Sequence, residues 1–560
     1  MRAQSKTISG VNVTAIAGTY VVLLGMDATA VAAKGLLGFA IQREDKTENE
    51  KYWLKGFRTF KETDPNPTPG SLVSTQEHPI QAFLWGDYTA KPNHKYIYSV
   101  VPVYGTPKNL KYGKPVPVSV STENEDLGTH AIYFNRGVAG SQAYARKFGN
   151  KQPDEVPNNE AYKWLSRGLE EAMISYIGQA KGKGYSLRAC VYEFSWPPIL
   201  EAFAAAAKRG VDVKIVYDCR KPDPQKTSNA AIKAAKIEKL MIPRKANPSY
   251  ITHNKFIVLL KDGKPQQVWT GSTNFTAGGI FGQSNVGHAV RDPKVANQYL
   301  TYWGELSKDT PATELRKLNL TETPDPKNAA ASGITPIFSP RPSLNALEWY
   351  AGRMKASGIS LGFTAAFGVN KSLATVLGSS GKNLRYILLE KKGDTFDSFS
   401  KVKNNYIAIG AILNTKAVGD GELHRWLGEK LTGLNTFVKY LHTKYLFIDP
   451  LSDNPTVISG SANFSDASTL NNDENMLIVQ GNTSVADIYL GEFMRLWQHY
   501  YFRDVAGRQA SSDKKVVDST YLYSDDSWTK AYYTKGAAKQ QERLLFSMQL
   551  NPTAKKIKKP

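Results

Sequence analysis

The same short text occurs twice in this chain, in the same frame. His253-Asn254-Lys255-Phe256-Ile257-Val258 is followed, 18 residues after its histidine, by Gly271-Ser272-Thr273-Asn274-Phe275. His442-Thr443-Lys444-Tyr445-Leu446-Phe447 is followed, again 18 residues on, by Gly460-Ser461-Ala462-Asn463-Phe464. Only eight histidines occur in 560 residues, so two of them in one shared frame mark an internal duplication. The elements upstream repeat as well. Apolar spacing predicts a helix over 159–179, a strand over 186–194, a proline-started helix over 197–209 and a strand over 211–217. The later copy reads helix 344–355, strand 359–367, helix 370–377 and strand 384–389. Strand–helix–strand alternation of this kind builds an α/β layer with parallel strands. The expectation is two duplicated α/β sandwich halves, 125–308 and 341–510, joined by a proline-rich linker at 309–340.

The repeated residue types suit a phosphate. His-x-Lys opens an apolar run, and strand alternation puts the imidazole and the ammonium on one face. The next run, Val268-Trp269-Thr270 or Val457-Ile458-Ser459, ends at Gly-Ser, which brings a hydroxyl and an amide beside them. Lys255 and Lys444 would neutralise phosphate charge, Ser272, Ser461, Asn274 and Asn463 would donate hydrogen bonds, and His253 and His442 would serve as nucleophile or acid. Two facing copies would bracket one phosphodiester. One imidazole attacks phosphorus while the other protonates the leaving oxygen and then activates water. Two lysines supply the positive charge, so no cofactor or metal is called for, and no His-Glu-x-x-His cluster occurs.

These residues resemble the phospholipase D superfamily, whose motif is His-x-Lys-x4-Asp followed by Gly-Ser-x-x-Asn. The resemblance spans about 125 to 510. The second half matches His-x-Lys-x4-Asp fully, with Asp449 in place, while both halves read Gly-Ser-x-Asn; in the first half Leu260 stands at the Asp position and Asp262 follows two residues late. The resemblance implies a phosphohistidine mechanism with His253 as nucleophile, His442 as acid and base, and Asp449 as a structural prop. It also implies that Glu474, in Asn472-Asp473-Glu474-Asn475, orients a catalytic imidazole; the first-half counterpart is Gln283-Ser284-Asn285. Size and paired motifs are similar to those of intracellular bacterial members of the murine toxin type.

The flanks carry less chemistry. Residues 1–122 alternate short Val/Ile/Tyr/Phe runs with Gly, Pro, Asn and Asp turns, which predicts a β-sandwich. Lys91-Pro92-Asn93-His94-Lys95-Tyr96, running on to Tyr104-Gly105, resembles the fibronectin type III pattern. Val11 to Leu24 is interrupted by Thr14, Gly18, Thr19 and Tyr20, so it reads as the first strands rather than a cleaved leader. Residues 511–560 form a C-terminal extension ending in the basic Lys555-Lys556-Ile557-Lys558-Lys559, with aromatics over 521–533 that suit either packing or a substrate groove. His78, His94, His130, His288, His424 and His499 lack the repeated frame and read as structural. Cys190 and Cys219 are too few for a disulfide framework and suit a reducing, cytoplasmic setting.

The substrate is less constrained than the reaction. A net charge of +21 favours anionic partners, either a phospholipid surface bound peripherally or nucleic acid. Phospholipase D-type hydrolysis or headgroup transfer is the first expectation, and a metal-independent nuclease is the alternative. With both motifs in one chain, a monomer would hold a complete site. A relic, binding-only site is disfavoured by two intact His/Lys/Ser/Asn sets.

Overall fold

The computed structural model describes residues 1–68, 71–137, 142–219, 222–246, 249–326, 332–410, 441–510 and 521–550. His424 and the basic tail at 555–559 lie outside the described residues. The duplication is visible strand by strand. The first half uses β1 (His130–Phe134), β2 (Tyr185–Val191), β3 (Asp212–Asp218), β4 (Met241–Arg244), β5 (Lys255–Lys261), β6 (Lys264–Gly271) and β7 (Val286–Val290). The second uses β8 (Gly333–Ser339), β9 (Ser360–Ala365), β10 (Leu384–Leu389), β11 (Asn405–Ile409), β12 (Tyr445–Ile448), β13 (Thr456–Gly460) and β14 (Glu474–Gln480). The sheet orders are β1-β7-β6-β5-β2-β3-β4 and β8-β14-β13-β12-β9-β10-β11, with a two-residue strand Asp126–Leu127 added at the β1 edge. In each sheet the last three strands are parallel and the others antiparallel.

Sequence explains most of these choices. The β10 run Leu-Arg-Tyr-Ile-Leu-Leu is buried throughout, as a central strand covered on both faces must be. Helix α2 (Pro197–Lys208) starts on prolines, whose missing N–H costs nothing in the first turn. Helix α3 (Pro293–Ser307) is capped by the Asp292 carboxylate, and α5 (Lys371–Gly378) by Asn370.

Two expectations are corrected. The single helix expected over 159–179 is broken into Glu160–Ser166 and α1 (Leu169–Gly178) by left-handed Arg167 and Gly168, with φ of 49° and 90°. The glycine takes that conformation at little cost, and apolar periodicity runs through the break unaltered. The linker expected at 309–340 holds a helix, Ala312–Glu322, and strand β8. Prolines misled the reading there: β8 is an edge strand, so Pro336 removes no hydrogen bond that the sheet needs.

Residues 1–121 form an antiparallel sandwich, consistent with the expected all-β domain. One sheet runs Arg2–Gln4, Val11–Ala17, Val22–Ala28, Leu84–Asp87; the other is built on Lys95–Thr106 and Gly38–Asp45. The C-terminal segment completes this domain. Of the aromatics of 521–533, Trp528 and Tyr532 pack into the sandwich core, while Tyr523 is exposed. A Cβ at Gly25 would lie 2.1 Å from the carbonyl oxygen of Phe546, so the helix Ala538–Phe546 approaches the sheet only because residue 25 has no side chain. The long helix α6 (Thr483–Ala510) buries Ile488, Tyr489, Phe493 and Trp497 in a core shared by the sandwich, β1 and the second sheet. The three parts therefore pack as one body, with the two sheets meeting at their repeated motifs.

Candidate active site

Each histidine sits at the entry to the strand its motif begins. Lys255 opens β5, with His253 two residues before it; His442 and Lys444 precede β12. Each ammonium reaches back to its histidine's carbonyl, Lys255 Nζ to His253 O and Lys444 Nζ to His442 O, both at 2.6 Å. The two imidazoles face each other with ring centroids 6.3 Å apart and planes at 76°.

The halves hold each other's histidines. His253 N donates to Asp473 O and His442 N to Ser284 O, so each motif adds a short bridge to the opposite sheet. His253 Nδ1 donates to Glu474 Oε2 at 2.9 Å. His442 Nδ1 donates to Asn285 Oδ1 at 2.9 Å and to Ser272 O at 3.1 Å. Asn285 and Glu474 occupy the same position, 14 residues beyond their Gly-Ser glycines. Sequence reasoning named Glu474 but did not find Asn285 as the other ring's partner. Both carbonyl-type acceptors require the proton on Nδ1, which leaves each Nε2 lone pair toward the gap. A second pair supports the entry turns: Asp218 accepts Thr252 N at 2.7 Å, and Glu390 accepts Leu441 N at 2.9 Å.

Burial sets the electrostatics. His253 is 5% exposed and His442 4%. Desolvation, with both ammonium groups close by, holds both imidazoles well below the usual histidine range. Burial likewise brings Lys255 down to about 7 and holds Lys444 well below its usual range, where the neighbouring Lys255 charge adds to the effect. Glu474 is pushed up to about 7, chiefly by burial. A phosphate entering between the two lysines would favour the protonated form of both, which burial disfavours in the free site.

The remaining expected residues are distributed as follows. Asn274 and Asn463 each keep a buried Oδ1 without a hydrogen-bond partner, while Asn274 Nδ2 donates to Glu193 Oε2 at 2.7 Å. Ser272 and Ser461 are wholly buried and differ from the expectation of phosphate donors. Ser272 Oγ donates to Asn285 Oδ1 and accepts from Val286 N; Ser461 Oγ accepts from Asn475 N. They brace the segments behind the imidazoles. Asp449 accepts from Ser357 Oγ and from the backbone of Gly358, Ile359 and Ser360 at 2.8–3.0 Å, tying the turn before β9. In the first half β5 ends two residues later in the shared frame, and Asp262 takes the same left-handed turn (φ 49° against 47° for Asp449) with its N–H on Gly184 O. Glu193 had no repeated motif to mark it. His78, His94, His130, His288 and His499 are partnered elsewhere, His130 Nδ1 with His288 Nε2 at 2.9 Å.

The family described as cardiolipin synthase, PLD-like domain matches residues 173–306 and 386–497, which contain the two motifs. No curated protein sequence matches the chain. Among solved structures the chain is similar to Nuc, a phospholipase D family member from Salmonella typhimurium, at 27% identity over 32% of this chain and 95% of that one, with a TM-score of 0.23. It is similar to phosphatidylserine synthase from Haemophilus influenzae Rd KW20 at 12% identity over 60% and 87%, TM-score 0.39. It is also similar to polyphosphate kinase from Porphyromonas gingivalis at 12% identity over 57% of this chain, TM-score 0.36, spanning 46% of that enzyme's length.

Proposed function

From its place in the phospholipase D superfamily, to which this chain belongs, we propose that it is a phosphodiesterase acting on a phospholipid, releasing the headgroup alcohol and passing the phosphatidyl group to water or to another alcohol. The observation that carries this reading is the pair of cross-braced imidazoles with a lysine beside each. The catalytic set is His253, Lys255, Asn274, His442, Lys444 and Asn463. Lys255 and Lys444 bind the non-bridging phosphate oxygens, and Asn274 and Asn463 orient them. Nε2 of His253 attacks phosphorus; the P–O bond to the leaving alcohol breaks, and that oxygen takes the proton from Nε2 of His442, which enters this step as an imidazolium, having taken that proton from solvent as the anionic diester binds. Water or a second alcohol then gives its proton to His442 Nε2 and attacks phosphorus, and the N–P bond returns its electron pair to His253.

The unequal partners favour this division of labour. Glu474 offers a carboxylate to the Nδ1–H of His253 and stabilises the positive charge that the ring acquires on phosphorylation. Asn285 offers His442 a neutral amide, which leaves its protonated form the better acid. The family description points to a phospholipid diester. The net charge of +21 favours the second reading, a nuclease on the same scaffold. Both are tested by offering the protein, with EDTA, phospholipid vesicles plus a primary alcohol, and plasmid DNA and RNA in parallel. A phosphatidyl-alcohol product supports the lipid reading and the covalent intermediate. Cleaved nucleic acid with untouched lipid replaces it by the nuclease.

A further inference from the structure

Besides the unequal partners of the two imidazoles, the halves differ just beyond the ends of β2 and β9. Glu193 lies four residues beyond Ala189, which faces Ile257 across β2 and β5. Phe367 lies four residues beyond Phe363, which faces Leu446 across β9 and β12. The register therefore makes Glu193 and Phe367 counterparts, and likewise Tyr192 and Ala366. Phe367 is 50% exposed. Glu193 is half-buried and takes the Asn274 amide on Oε2; its backbone carbonyl accepts from Phe275 N, and its side chain makes no other hydrogen bond among the described residues. It feels both Lys255 and Lys444 but forms an ion pair with neither among the described residues. Tyr192, next to it, sets its ring edge-to-face with His253, centroids 5.0 Å apart.

Formal charge makes this carboxylate informative. Lys255, Lys444, Glu193 and Glu474 carry two formal charges of each sign when all four are ionised, a state that burial opposes in each of them. A zwitterionic diester preserves that balance, because its phosphate meets the lysines while its cation meets Glu193. An anionic diester leaves one buried negative charge unmatched, a costly state away from water. A polyanion does so as well.

Resting on the phospholipid reading above, we propose that Glu193 is a specificity-determining residue that accepts hydrogen bonds from the ammonium of a primary-amine headgroup, of the ethanolamine type, esterified to the bound phosphate. It leaves the chemistry to the histidines and decides which diester is presented to them. A role confined to holding Asn274 would affect every headgroup alike.

The test is the ratio of kcat/KM for phosphatidylethanolamine over phosphatidylglycerol in mixed micelles with EDTA, for the full chain and for Glu193→Gln. The full chain is expected to favour the amine lipid, and the near-isosteric variant to lower the ratio about 10- to 100-fold, the range of a charge-assisted hydrogen bond. Because a ratio is read, partly unfolded variant does not alter it. Phe367→Ala is the control and should leave the ratio within about twofold, since it touches neither charge nor donor. A ratio unchanged in Glu193→Gln, or a full chain that prefers phosphatidylglycerol, overturns the role of Glu193 and leaves the phospholipid reading standing. No turnover of either lipid by the full chain, with nucleic acid cleaved, overturns the phospholipid reading and this inference with it.

Discussion

Glu474 Oε2 lies 2.9 Å from His253 Nδ1, across 221 residues of chain and from the opposite half of the duplication. The relationship makes each half dependent on the other. His442, in turn, depends on Asn285 at the same distance. A single half would hold an imidazole without its orienting partner, and two halves docked out of register would lose both.

His253→Ala and His442→Ala should each lower turnover by at least about 10³-fold, because each removes a reacting group. The two losses should differ in kind. After a brief reaction, His442→Ala should retain acid-labile phosphate on the protein, since attack proceeds slowly and breakdown is blocked, whereas His253→Ala should retain none. Label in both variants, or in neither, would contradict the assignment of nucleophile and acid.

Glu474→Gln keeps an acceptor oxygen for Nδ1–H and deletes the charge. The rate should fall about 10²-fold, the scale of one electrostatic stabiliser of the transition state, with little change in unfolding temperature. Equal rates for the variant and the parent would mean that the carboxylate only fills space.

Asp449→Ala removes the acceptor for four donors at the turn before β9. The half-exposed site should cost about 1–3 kcal/mol, read as a lower denaturant midpoint, while the folded fraction keeps most of its activity. A variant of unchanged stability that is inactive would place Asp449 in the chemistry.

The pH profile of kcat/KM follows from the free site. His253 is held below the usual histidine range, so its neutral, nucleophilic form persists as pH falls and the acid limb should lie below about 6.5. Lys255, brought down to about 7, loses its proton above that value, and phosphate capture should weaken on the alkaline side. An acid limb centred above 6.5 would show that the imidazole is not neutral in the free protein.

Activity should survive excess EDTA. Lys255 and Lys444 provide the charge that a bound cation otherwise supplies to phosphoryl oxygens. A rate that vanishes with chelator and returns with a divalent ion would displace the lysine-based account.

Local pattern determined a good deal. The two motif frames, the strand–helix–strand order and even the β10 limits at 384–389 follow from apolar periodicity and turn residues, which act over a few positions along the chain. Pro336 and Gly168 show where local pattern ends. A proline is harmless at a sheet edge and a glycine breaks a helix only when its backbone turns left-handed, and neither circumstance is written in neighbouring residues. What the tertiary structure alone decided is which residue serves which histidine. Glu474 belongs by sequence to the half of His442 yet orients His253, Ser272 turned behind the imidazoles, and Glu193 came to Asn274 without any motif. The reason is physical: hydrogen bonds and charge act through a few ångströms of space, and the packing of two sheets sets those distances, whatever the separation along the chain.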